Sequence, residues 1–117
     1  MKRPEQEIQK AVVQHLRQRG ALGLVFTHPA NGGFRTSIEG AIFKSLGVRP
    51  GVSDLLLWRN GRFYALELKA RDGRLSPLQA EFIADIERAG GFACCVEGVD
   101  AALRTLEAWG LLRGVAL

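Results

Sequence analysis

GVSDLLLWRNGRFYALELK, residues 51–69, holds two apolar runs on either side of Asn60-Gly61. Asn-Gly between such runs is a strong sign of a two-residue type I′ hairpin, whose twist matches that of the strands it joins. The sequence therefore predicts a strand over Ser53–Trp58 and a return strand over Arg62–Lys69. With a two-residue loop the register follows directly. Arg59 faces Arg62, Trp58 faces Phe63, Leu56 faces Ala65, and Asp54 faces Glu67. Directly opposed residues carry their Cβ atoms ~4.5–5.5 Å apart on one face of the sheet. Strand alternation puts Lys69 on the same face as Glu67.

Two carboxylates so placed repel each other. A divalent cation between them turns the repulsion into attraction, and hard oxygen donors suit Mg²⁺ or Mn²⁺. The competing reading is structural: both acids are solvated near the strand ends, or Lys69 merely neutralises them.

Working outward, Glu5 to Arg19 reads as a helix with Ile8, Val12 and Leu16 on one stripe, closed by Gly20. Ala21 to Thr27 reads as a strand, His28 to Arg35 as a loop, and Ser37 to Leu46 as a second helix ended by Gly47. Beyond the hairpin, a polar turn from Arg71 to Arg74 leads to Ser76-Pro77. These open a third helix running to about Ala89. Gly90-Gly91 stops it, Phe92 to Glu97 makes a last strand, and Asp100 to Trp109 a closing helix. The order α-β-α-β-β-α-β-α implies an α/β domain, a mixed central sheet flanked by helices.

Glu5 lies beside the apolar stripe of the first helix, whereas Glu7 points further from it. Glu5 is thus a third acid for the pair, or a helix-start charge favoured by the dipole. At 117 residues the chain has the length of one domain. No apolar run approaches the ~20 residues of a bilayer span, and the start lacks a signal-like apolar stretch, so no membrane role and a cytoplasmic location are expected. Cys94 and Cys95 are adjacent. Neighbouring Cα atoms ~3.8 Å apart do not form an ordinary disulfide, and no histidine completes a zinc site. Both read as small apolar residues of a buried strand. Up to Arg74 there are 13 Lys or Arg against 6 Asp or Glu, and from Leu75 onward 3 against 6. The basic first part suits a polyanion such as nucleic acid.

Taken together, Gly51-Val52-Ser53-Asp54, a twelve-residue gap, and Glu67-Leu68-Lys69 resemble the PD-(D/E)XK nuclease signature, most closely its VRR-NUC branch. Glu5 with Ile8-Gln9, the Asn31-Gly32-Gly33 loop before Arg35, and Gly47 before Gly51 fit the same pattern. So do Leu75-Ser76 with Gln79, and Gly90-Gly91. The resemblance spans about Glu5 to Glu97. One departure stands out: Ser53 occupies the place of the signature proline, while the Asp, Glu and Lys positions are intact.

The resemblance implies a restriction-endonuclease-like core and a metal-dependent endonuclease acting on DNA, with Mg²⁺ or Mn²⁺ as cofactor. It further implies branched or Holliday-junction substrates and a homodimer. On this reading Asp54, Glu67 and the Leu68 carbonyl hold the metal, and Glu5 touches it directly or through water. Lys69 orients or helps deprotonate the attacking water and offsets phosphate charge. Gln79 matches a family glutamine near the site, yet Ser76, Pro77 and Gln79 also spell an N-cap, N1 proline and capping box. Arg35, Arg71 and Arg74 are candidates for phosphate contacts, and Asn31 for lining the DNA groove, because their loops surround the expected site. His15 and His28 read as packing or surface residues. The alternatives are a non-catalytic nucleic-acid-binding module of the same fold, or an end-trimming or restriction-type nuclease.

Overall fold

The structure, a computed structural model, describes residues 4–30 and 36–114. Helix α1 (Pro4–Arg19) carries Glu5 and Glu7 in its first turn and Arg17 and Arg19 in its last, complementing the helix dipole at both ends. Strand β1 (Val25–Thr27) and helix α2 (Ser37–Ser45) follow. The hairpin of β2 (Leu55–Arg59) and β3 (Arg62–Lys69) comes next, and then helix α3 (Pro77–Arg88), strand β4 (Phe92–Glu97) and helix α4 (Gly98–Ala108).

The sheet order is β1-β2-β3-β4. The first two pairings are antiparallel and β3–β4 is parallel, so the sheet is mixed as the sequence predicts. The hairpin register also matches, from Arg59 opposite Arg62 to Leu55 opposite Leu66. Asn60 and Gly61 both take positive φ, 53° and 76°, as a type I′ turn requires.

Alternation then sorts the hairpin residues between two faces. Leu55, Leu57, Tyr64, Leu66 and Leu68 join Val12 and Leu16 of α1 and Ala102 and Leu106 of α4 in one buried core. Asp54, Glu67 and Lys69 fall to the other face, the one covered by α3. The apolar layer thereby fixes where the acids point. A register slip of one residue would turn both faces over at once.

Most ends fall within two residues of the sequence reading, α4 starting at Gly98 rather than Asp100, and two strand starts differ for a physical reason. The strand expected over Ala21–Thr27 begins only at Val25. Ala21 N is bonded to Leu111 O at 2.9 Å, and Gly23 adopts φ 82°, so the chain turns before it can pair. Strand β2 begins at Leu55 rather than Ser53, because the Asp54 side chain takes over the bonding there. Helix α2 stands apart. Among the described residues it packs on no other helix or strand, and Ile38, Ile42 and Leu46 on its surface are exposed.

Candidate active site

The approach to Asp54 is set by backbone contact with α3. Gly51 has φ 81°, and a Cβ there would lie 2.6 Å from the Leu78 carbonyl carbon and 2.9 Å from Gln79 N. Only glycine meets both demands. Arg49 adds a second tie, reaching Asp85 of α3 at 2.5 Å and lying over the Phe82 ring. The loop and the helix that supply opposite sides of the site are thus joined before either side chain is considered.

Asp54 Oδ2 accepts a hydrogen bond from Leu68 N at 2.8 Å, doing the work of a main-chain ladder bond where β2 has not yet begun. Because the N–H and C=O of a strand residue leave on the same side, the Leu68 carbonyl opens on this edge too. Glu67 is only 2 % exposed. Its Oε2 accepts from Gln79 Nε2 at 3.2 Å and lies 3.3 Å from Lys69 Nζ. Its Oε1 is buried and has no hydrogen-bond partner. Each carboxylate is therefore anchored through one oxygen. The second oxygen of Glu67 is an orphan.

Gln79 both caps α3 and touches the acid and the lysine of the site. Its backbone N donates to Ser76 Oγ at 3.2 Å, and its Oε1 accepts from Ser76 N at 2.9 Å, which completes the capping box. The same Oε1 also accepts from Lys69 Nζ at 2.9 Å. Gln79→Ala removes a cap and strips partners from two buried charged groups. Roughly 1–3 kcal/mol of stability is expected to be lost in urea unfolding. Ser76→Ala, which touches the cap alone, is expected to cost about 1 kcal/mol and leave the Lys69–Glu67 arrangement in place.

The electrostatics follow from this geometry. Burial pushes the Glu67 carboxyl up, the neighbouring Asp54 carboxylate adds to it, and Lys69 only partly opposes them, so its pKa rises to about 8. At neutral pH the metal-free pair therefore retains a proton. A cation would replace that proton and give the orphan oxygen a partner, so the donors present fit a hard divalent ion. Mg²⁺ is commonly held by only one or two carboxylates and keeps several waters, so two acids and a carbonyl suffice.

Other candidates take different places. Glu5 is not drawn into the pair: its Oε2 lies 3.5 Å from Ala70 N, at the end of β3. Among the described residues no three His, Cys, Asp or Glu side chains converge as a metal cage. Arg71 and Arg74 are exposed in the turn after β3. Asn31 and Arg35 lie outside the described residues.

Two neighbours that the sequence reads as packing, surface or strand residues stand at the site. His28 Nδ1 donates to the Asp54 main-chain oxygen at 2.6 Å, tying the end of β1 to the site. Cys95 stands beside Glu67 on the parallel strand β4 and on the same face. Both cysteines are half-buried rather than fully buried. Burial raises the Cys95 thiol first, with Glu67 adding to it, so the thiol stays protonated.

With the geometry in place, comparison with known proteins is informative. The VRR-NUC domain model matches residues 3–100. The chain belongs to the VRR-NUC domain family. This nuclease-type family accounts for an acid pair and lysine placed at a sheet end. A solved structure described as "VRR_NUC domain protein" is similar in fold. It has a TM-score of 0.74 and 21% identity over 93% of this chain and 89% of the other. No curated protein matches the chain. No helix among the described residues is long and apolar enough to cross a membrane.

Proposed function

We propose that this VRR-NUC domain is a Mg²⁺- or Mn²⁺-dependent endonuclease that hydrolyses phosphodiester bonds in branched DNA. The observation that carries the reading is the pairing of half-buried Asp54 with fully buried Glu67, one oxygen of which has no partner and which holds a proton to about pH 8. Opposed acids that no structural cation fully neutralises are costly to keep in a pure binding module.

Asp54 and Glu67 would hold the metal with the Leu68 carbonyl. When bound, the ion supplies Lewis-acid stabilisation of phosphate charge and lowers the pKa of its water. The protein's own groups do the positioning. Gln79 steers the Lys69 ammonium and one Glu67 oxygen, so that Lys69 presents its charge and a hydrogen bond to the attacking water or a phosphate oxygen. Arg71 and Arg74, exposed beside this edge, are placed to meet flanking phosphates. Glu5, at Ala70 N, would act on the metal only through intervening water.

A pair of cuts across a junction needs two sites, which a homodimer supplies. The exposed Ile38, Ile42 and Leu46 of α2 support a second copy as the covering partner, since large apolar patches are rarely left open to water. The test is a substrate panel of four-way, flapped, nicked and linear DNA, with and without divalent metal. Metal-dependent internal cuts favouring branched forms are expected. Loss of nucleotides from linear ends would instead support the end-trimming alternative, and metal-independent cutting would discard the proposed chemistry.

A further inference from the structure

We infer that the groove along the outer flank of α1 seats the phosphate backbone of a DNA duplex arm leading to the carboxylate pair. This deepens the nuclease reading and rests on it for the arm's destination. The groove encloses about 880 Å³ and is open to solvent. Gln6, Gln9, Lys10, Gln14 and Arg17 line it from α1, joined by His28 from beyond β1. Steps of three and four residues place the helix groups on one flank. From Gln6 to Arg17 the helix advances roughly 16 Å at ~1.5 Å per residue, about five base-pair steps of ~3.4 Å.

The chemistry of the lining selects the occupant. Among the described residues no acid lines it, and Val13 is its one aliphatic member. Amides and cations are the groups that bond phosphate oxygens. Single-stranded nucleic acid is held by stacking on aromatic rings, and the lining offers only one imidazole. Among the described residues the ion pair of Lys10 is the long 3.8 Å contact with Glu7, and the Lys10 side chain is mostly exposed. Its charge is therefore available to a phosphate. The groove also has a direct link to the chemistry: His28, in its wall, bonds the Asp54 main-chain oxygen at 2.6 Å. His28 thereby joins the lining of the groove to the segment that carries Asp54.

The experiment is equilibrium binding of a fluorescent four-way DNA junction across a fourfold range of salt, with Ca²⁺ replacing Mg²⁺. The double variant Lys10→Gln/Arg17→Gln is compared with wild type and with Arg62→Gln/Arg104→Gln, which removes the same charge elsewhere. Each lost phosphate contact flattens the salt slope by about 0.9. The groove variant is expected to lose nearly two contacts' worth, so that the salt rise costs wild type ~12-fold more affinity than the variant. The control should keep the wild-type slope. An unchanged slope in the groove variant, an equal flattening in the control, or no binding by wild type overturns the assignment. Cleavage with Mg²⁺ at saturating protein is read in parallel. If both proteins cut while their slopes coincide, the groove fails and the nuclease reading stands. If neither cuts but the slope falls as expected, the groove stands alone.

Discussion

Asp54→Asn is expected to lower the rate of DNA cleavage by ~10³-fold or more while DNA binding persists. The variant keeps the size of the side chain and an oxygen for Leu68 N, so the 2.8 Å tie that shapes the edge of β3 can survive. What it loses is half of the anionic pair that would hold a cation. A junction-binding measurement in Ca²⁺ separates this from misfolding, since removing one negative charge from the site should leave affinity equal or tighter. A non-catalytic binding module would give no metal-dependent cuts in wild type either, and that result would end the enzymatic reading.

The second large effect concerns pH. Burial first and Asp54 second push the folded Glu67 carboxyl from the ordinary 4.5 up to about 8. The folded state therefore binds more protons than the unfolded state between these values. By linkage, this carboxyl's contribution to metal-free stability is full below the lower value, declines as pH rises through the window, and is lost above about 8. Glu67→Gln removes that decline, and the difference appears in thermal unfolding of the metal-free proteins at several pH values. Metal binding runs against the same proton. At neutral pH each bound ion should displace close to one proton, and apparent affinity should weaken roughly tenfold per pH unit below the carboxyl's pKa. Titration calorimetry in buffers of different ionisation enthalpy measures the release directly. A metal affinity independent of pH across this range would contradict the coupled site.

Much of this site was legible because a local turn sets the register that makes it. Asn60-Gly61 fixes the pairing of residues on either side, so Asp54 could be set against Glu67 without knowing the rest of the fold. Gln79 was legible for a similar reason, through the local pattern of Ser76, Pro77 and Gln79. His28 and Cys95 were not. Each reaches the site through pairing at a distance, of β1 with β2 and of β4 with β3, and no short turn specifies those registers. Glu5 shows the limit of a helical wheel. The wheel gives its flank, but how far the helix slides along β3 decides whether it meets the acids or, as here, Ala70 N. The apolar residues Ala21–Leu24 resembled a strand until the bond from Ala21 N to Leu111 O, made by the far end of the chain, claimed them.

The close approach at Gly51 makes the site intolerant in an unusual direction. Its neighbours there are main-chain atoms of Leu78 and Gln79, which cannot rotate aside as a side chain would. A single added methyl group would act as a wedge, prising the aspartate's loop away from the helix that steers the lysine. Chemistry at this sheet end thus depends on a place where a side chain is missing, and the smallest possible enlargement there would disarm every acid and amide left intact around it.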